Sequence, residues 1–354
     1  MKLLLFFVLP VVMFIAAGSP FNSGTAKDVF VIGPGQMPAL TGDRNGVIHL
    51  VYGIGDSLLH RTSTNKGQSF NDSRLIAKLP GLNASATRGP QIVATSTGLC
   101  VVASTGAGSI YSYVQDANGK WRERVKITDR DSVDLEGFVA LAADDQSSLF
   151  AVWLDLRQTG QNKIYGARSS NGGKSWSENM MVYTSPDTTV CQCCKPSVAV
   201  SGNHVYVMFR NWLQGNRDLY LIESSDKGRT FGIAQKLGND SWALNGCPMD
   251  GGGLVVNKKG QPLTVWNREG TIYSCEPGKP ERALGKGRSC TMTTAGNKNV
   301  YAWVENKQVV LLLPDGMKKM LGSGQLPVLK GVGDNHVLCV WENDKQLHSL
   351  MVSL

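Results

Sequence analysis

Histidine is scarce in this chain of 354 residues, with five scattered along it. No H-E-x-x-H segment sets two of them on one helix face, which excludes a metalloprotease-type zinc site. The G-x-S-x-G elbow and the glycine-rich phosphate loop are missing too, excluding the α/β-hydrolase nucleophile and P-loop nucleotide binding. Apolar residues at helical spacing are nearly absent, which removes helical bundles and α/β folds. Beyond residue 17 no apolar run approaches the length that crosses a bilayer. The formal net charge is +8, yet there is no block of Lys and Arg. Such a spread gives a mild preference for anions and is not a nucleic-acid footprint.

One apolar run does exist, LLLFFVLPVVMFIAA at residues 3–17, directly after Lys2. Ala16 and Gly18 supply small residues ahead of a cut before Ser19, so residues 1–18 read as a cleaved secretory signal and 19–354 as one domain. The mature chain is expected to be secreted or periplasmic, monomeric and without a stable membrane span. Its eight cysteines can pair in such a compartment. They are too few to scaffold a chain this long, so a hydrophobic core must carry the stability.

Glycine, by contrast, is abundant, with 40 residues. Glycine and Asn/Asp turns separate short runs rich in Val, Leu, Tyr and Trp, the texture of an all-β protein. One turn recurs as Ser63-Thr-Asn65-Lys-Gly67-Gln-Ser69-Phe70, Ser169-Ser-Asn171-Gly-Gly173-Lys-Ser175-Trp176 and Ser224-Ser-Asp226-Lys-Gly228-Arg-Thr230-Phe231. A weaker copy, Asp116-Ala-Asn118-Gly119-Lys120-Trp121, falls midway through the widest gap and makes the period about 53 residues. The Asp or Asn can accept amide bonds across a hairpin, and the glycine can take the left-handed conformation.

Seven strand–turn–strand units accompany this repeat, from Pro38–Gly53 through Pro90–Ser104, Val139–Asp155, Pro196–Arg210, Gly252–Arg268 and Thr291–Glu305 to Pro327–Glu342. Each has the form of the inner two strands of a four-stranded blade. The last unit has room for one further strand, Gln346 to Val352, and an orphan strand, Asp28 to Ile32, can supply its fourth. This arithmetic favours a β-propeller of seven blades; six remains open if one short unit is an insertion.

Strand alternation puts the repeated turn, between third and fourth strands, on the lower face. The entries to the inner strands and the ends of the second strands then share the upper face. Gln36, Arg88, Glu136, Asp250, Cys191, Cys193, Cys194 and Cys247 fall at the entries. Asp56, Asp155, Arg157, Arg210 and Arg268 fall at the second-strand ends. A concave mouth bearing arginines and carboxylates is the default binding site of such a ring. The cysteines allow three readings. Cys191 or Cys194 could bridge to Cys247; Cys191, Cys193, Cys194 and Cys247 could hold a soft metal, zinc or copper; or the group could be a redox thiol, with a labile bond between adjacent Cys193 and Cys194. No other cofactor is called for.

The repeated turn is the Asp-box, and through it the chain from about residue 28 resembles the sialidase superfamily of β-propellers. That resemblance implies release of terminal sialic acid, with three arginines on the substrate carboxylate, an Asp as acid/base and a Glu-activated Tyr as nucleophile. Bidentate guanidinium–carboxylate pairing is the reason for arginine. Where the superfamily has Arg-Ile-Pro, this chain has Gln36-Met37-Pro38, whereas Arg88-Gly89-Pro90 keeps the Arg-x-Pro form one blade later. By the same resemblance Arg88, Arg210 and Arg268, with Arg157 and Gln36 nearby, would hold an anion. Asp56 or Asp155 would deliver the proton, with Glu136 or Asp250 assisting; Tyr273 is the tyrosine nearest Arg268 in sequence. The expectation is a sialidase-like propeller that hydrolyses, or binds without turnover, an anionic extracellular glycan.

Overall fold

The computed structural model describes residues 29–116, 118–129, 137–144, 146–157, 160–187 and 189–354. The expected signal segment and Glu136 lie outside the described residues.

Seven four-stranded antiparallel sheets follow one another along the chain, a seven-bladed β-propeller. Blades 1 to 7 begin at inner strands Gln36–Gly42, Gln91–Thr95, Ala140–Ala143, Ser197–Ser201, Gly253–Val256, Arg288–Ala295 and Gln325–Val332. The seventh is completed by Phe30–Pro34, which pairs antiparallel with Gln346–Ser353 and closes the ring with a strand from the other end of the chain. The expected closure is thus found, and the blade number is seven.

The second strand of each blade dictates the assembly. Leu149–Asp155 is buried at every position. Alternation along a strand sends Phe150, Val152 and Leu154 to one side, where they meet Val205, Val207 and Phe209 of blade 4. Leu149, Ala151 and Trp153 go to the other side and meet Cys100, Val102 and Ile110 of blade 2. The same division repeats around the ring, and the seventh junction joins Ile48, Leu50 and Tyr52 to Leu338, Val340 and Leu347. Two buried faces explain why these strands read as continuous apolar runs. Trp153, Trp266, Trp303 and Trp341 occupy equivalent, fully buried positions.

The three repeated turns share one hydrogen-bond set. In blade 3, Ser169 Oγ bonds Asn171 Oδ1 at 3.0 Å, the Gly173 amide donates to Ser169 Oγ at 2.9 Å, and the Ser175 amide donates to Asn171 Oδ1 at 3.0 Å. The turns at Asn65 and Asp226 make the corresponding bonds. Each turn also clasps the preceding blade. Trp176 Nε1 donates to Ser112 Oγ of blade 2 at 2.9 Å, and Phe231 packs edge-on against Phe150 of blade 3, 5.6 Å between ring centres. At Gly173, φ is +89° and an added Cβ would sit 2.4 Å from Cys100 Sγ. Substitution Gly173→Ala therefore combines left-handed strain with overpacking and is expected to cost about 2–4 kcal/mol in urea unfolding.

His49 and His60, on the second and third strands of blade 1, face each other with Nδ1 and Nε2 3.1 Å apart beside the edge of Trp121. Burial, followed by the charges of His49 and Arg74, lowers the His60 pKa from 6.5 to about 4. Above pH 6.5 the residue is neutral whether the chain is folded or not. Below it the unfolded chain takes a proton that folded His60 refuses, so stability is lost as pH falls toward 4. The loss is expected to reach about 2–3 kcal/mol, read as the difference between wild type and His60→Asn in denaturant titrations at pH 7 and pH 4.5.

Candidate functional site

The upper face is uneven. Blades 5, 6 and 7 join their second and third strands by tight turns at Glu269-Gly270, Asn306-Lys307 and Asp344-Lys345, all with left-handed backbone. Blade 4 joins the corresponding strands through Asn211–Asp218. The low side leaves an open groove of about 990 Å³ walled by Arg288, Lys307, Lys345, Gln36, Gln325 and Glu342. Toward the axis, a cavity of about 320 Å³ enters the central channel between Met37, Lys195, Asp250, Ser289, Cys290 and Leu326.

Left-handed residues build the boundary between the two spaces. Met37, Ser289 and Leu326 have φ of 54°, 55° and 53°, each at a register shift that opens its inner strand. Carboxylates hold two of the freed amides. Met37 N donates to Glu342 Oε2 at 3.2 Å across the ring closure, and Ser289 N donates to Asp250 Oδ2 at 2.8 Å. Burial raises the Asp250 pKa above its usual 3.8, partly opposed by Arg210 and by the amides of Ser289 and Gly252. Burial also lowers the Lys195 ammonium to about 8. Among the described residues nothing bonds that ammonium.

The arginines expected to grip an anion do not converge. Arg210 is 1% exposed and donates to the carbonyls of Asp250 (Nε, 3.1 Å; Nη2, 3.0 Å), Arg217 (2.7 Å) and Asn267 (2.9 Å). It ties blade 4 to blade 5. Arg268 pairs with both carboxylate oxygens of buried Glu281, reaches Asp240 Oδ2 at 3.2 Å, and lies over the Tyr273 ring at 4.3 Å. Arg157 grips Asp155 through Nε and Nη2 at 2.9 and 2.7 Å, and Asp129 at 2.9 Å. Arg88 lies over the Phe138 ring at 4.1 Å. Arg157, Arg210 and Arg268 are thus spent on the protein's own carbonyls and carboxylates, a demand that no short motif displays.

The expected acids are dispersed in the same way. Asp155 is fully buried and accepts from Trp153 Nε1 as well as from Arg157. Asp56 is exposed on a tight hairpin and accepts the Gly81 amide at 2.9 Å. Of the expected acids among the described residues, Asp250 alone lines the axial cavity, and Gln36 lines the outer groove. Lys195, Lys307 and Lys345 were not singled out by the sequence. The signals available were the Lys-Pro pair before an inner strand, for Lys195, and a two-residue turn after the buried Trp of a second strand, for the other two.

The cysteine group does assemble. Cys191 Sγ stands 3.8 Å from Cys193 Sγ and 3.4 Å from Cys194 Sγ, with the Cys193 and Cys194 sulfurs 4.0 Å apart. One disulfide joins Cys193 to Cys247, with Cα atoms 6.2 Å apart. This corrects the expected partner of Cys247 from Cys191 or Cys194 to Cys193, and no bond links adjacent Cys193 and Cys194. Cys191 is held elsewhere: its amide donates to Arg210 O at 3.0 Å, and its sulfur accepts from Arg217 Nη1 at 3.1 Å. The hydrogen bond shared with Cys194, then the Cys193 amide and the two guanidinium groups, outweigh burial and lower the Cys191 pKa to about 6; burial drives Cys194 the other way. Cys100 and Cys339 lie in the blade cores, where burial alone raises them.

These features define a seven-bladed β-propeller with a polar, cation-bearing upper mouth. No protein-family model matches the chain, and no curated protein matches it in sequence. Solved structures do match in shape. An α-L-arabinanase of Penicillium chrysogenum is 12% identical with a TM-score of 0.56, covering 93% of this chain and 98% of its own. A Hadza microbial sialidase is 14% identical with a TM-score of 0.55, covering 91% of this chain and 66% of its own. A lectin from Burkholderia pseudomallei is 10% identical with a TM-score of 0.66, covering 92% and 97%. At such identities the likeness establishes the fold. Among the described residues no helix is long and apolar enough to cross a membrane.

The Arg268–Glu281 pair gives a direct check on the structural assignment of the arginines. Arg268→Ala strands a buried carboxylate and is expected to cost about 3–5 kcal/mol in denaturant unfolding, whereas Arg268→Met with Glu281→Leu recovers most of it.

Proposed function

We propose that the protein is a glycan-recognising propeller, acting outside the cytoplasm, that binds anionic saccharides across the low side of its upper face. The observation that supports this reading is the groove over blades 5 to 7. Arg288, Lys307 and Lys345 border it beside the amides of Gln36, Gln325 and Asn306. No intramolecular ion pair or hydrogen bond engages those three cationic side chains among the described residues. Clustered cations with amide donors and acceptors suit a ligand carrying carboxylate or sulfate groups among many hydroxyls. The fold shared with an arabinanase, a sialidase and a lectin is in keeping with a carbohydrate ligand.

Binding without turnover is favoured over hydrolysis by the placement of the carboxylates. Asp155 is sealed beneath Arg157, and Asp56 projects from a hairpin. Asp250 reaches the cavity, but both its oxygens already accept backbone amides. A glycosidase of the usual kind needs two carboxyl groups flanking one bond. Glu342 and Asp344 line the groove, but Glu342 already accepts from the Met37 amide and from Gln325 Nε2, so no free pair of carboxylates stands there among the described residues.

An array of neutral, sialylated, uronic-acid and sulfated glycans tests the proposal. Anionic members are expected to bind, with affinity falling as salt rises and by about tenfold for Arg288→Ala with Lys307→Ala. A fluorogenic sialoside is expected to remain intact. Retention on neutral glycans alone, or indifference to that double substitution, would overturn the reading.

A further inference from the structure

The cysteine group lies outside the groove proposed for saccharides. Its three clustered sulfurs are also unlike the other buried cysteines. Cys100 and Cys339 pack as small apolar groups between blades, among Val, Leu and Trp side chains. Cys191, Cys193 and Cys194 form a buried group of their own, apart from every inter-blade core. Buried thiols gain nothing from meeting one another when aliphatic partners are at hand, so the convergence calls for a ligand or a bond.

We propose that Cys191, Cys193, Cys194 and Cys247 form a four-sulfur site for a soft d¹⁰ cation, zinc or Cu(I), completed when the Cys193–Cys247 disulfide is reduced.

Three observations carry it. The first is spacing. Four sulfurs placed about 2.3 Å from a tetrahedral ion stand about 3.8 Å from one another. Those of Cys191, Cys193 and Cys194 are separated by 3.8, 3.4 and 4.0 Å. Their placement is fixed by the fold, because the Cys191 amide is bonded to Arg210 O, at the end of a second strand buried at every position after His204. The second is the fourth sulfur. Cys247 already touches the group through its bond to Cys193, so reduction releases two thiols at the place where a fourth ligand is required. The third is charge. Four thiolates around a divalent ion leave two negative charges, and around Cu(I) three. Arg217, 6% exposed, directs Nη1 at Cys191 Sγ from 3.1 Å, and Arg210 is buried behind the same strand end. A guanidinium buried against sulfur is costly for neutral thiols and favourable for a metal thiolate.

Access is provided from outside. Cys247 lies on an exposed loop, and Cys193 is 9% exposed while Cys191 is fully covered. A dithiol reductant can therefore reach the disulfide from the Cys247 side. Two electrons and two protons pass to Cys193 and Cys247 as the reductant closes its own disulfide. The cation then enters and displaces four protons from the four thiols. Thiol–disulfide exchange with a disulfide oxidant, which takes up the two electrons and two protons, reverses the sequence, releases the ion and leaves Cys191 and Cys194 as a dithiol three positions apart. The redox state of one bond thus gates metal affinity.

The test is anaerobic titration of the full-length protein with zinc and, separately, with Cu(I), each against a chromogenic chelator, before and after treatment with a dithiol. The reduced protein is expected to take up one equivalent at least about 100-fold more tightly than the oxidised protein, and Cys247→Ser or Cys191→Ser to abolish the gain. Arg217→Ala is expected to weaken binding by about tenfold, and Cys100→Ser to leave it unchanged. Sulfur coordination counted by X-ray absorption on the wild-type complex keeps the question decidable if a cysteine variant fails to fold. Four sulfurs support the site; two or fewer, or no stoichiometric uptake after reduction, overturn it.

Discussion

Everything in this molecule rests on seven second strands that are buried on both faces. A strand such as Leu149–Asp155 offers one set of side chains to the blade before it and the other to the blade after. No blade can satisfy both faces alone, so the sheets stabilise one another only as a ring, and the ring must close. Closure falls to Phe30–Pro34, which joins the end of the chain to its beginning and lets Ile32 complete the core between blades 7 and 1. The turns at Gly67, Gly173 and Gly228 strengthen the same junctions from below, each fitting where only a hydrogen atom has room.

The upper face answers to a different demand. The connection Asn211–Asp218 over blade 4 and the segment leading into blade 5 carry carbonyls and acids away from the sheets, and arginines are drawn in to satisfy them. Arg157, Arg210 and Arg268 each join two or more chain segments. The short hairpins over blades 5 to 7 present no such demand, since their own turns close with few free groups. Arg268 beside them is taken up by Glu281 and Asp240, but Arg288, Lys307 and Lys345 stay available, and the open groove follows from loop length as much as from side-chain chemistry. The cysteine group stands on the crowded side, where Arg217 and Arg210 supply positive charge close to sulfur.

The legible and the illegible parts divide along this line. Strand alternation, the recurring turn and the orphan strand near Ile32 were visible because each depends on residues close in sequence. The face shared by Cys191, Cys193, Cys194 and Cys247 was visible too, as a consequence of strand direction. Which sulfur pairs with Cys247 was not, because the choice depends on how the Arg210 carbonyl and the Arg217 side chain hold Cys191. The arginines misled for a related reason. Arg210 at the end of a second strand looks the same in sequence whether it faces a ligand or the carbonyls of Asp250 and Asn267.

By itself the sequence determined a ring of four-stranded β-blades, with seven favoured over six, the direction of each strand, and hence which residues share the upper rim. Local periodicity suffices for that, since pleat and turn geometry act over a few residues. Tertiary structure alone decided which of the rim's charges are spent on neighbouring loops and which remain open. That outcome depends on distances between segments tens to hundreds of residues apart, and a buried guanidinium takes whatever carbonyls and carboxylates the packed loops bring within reach.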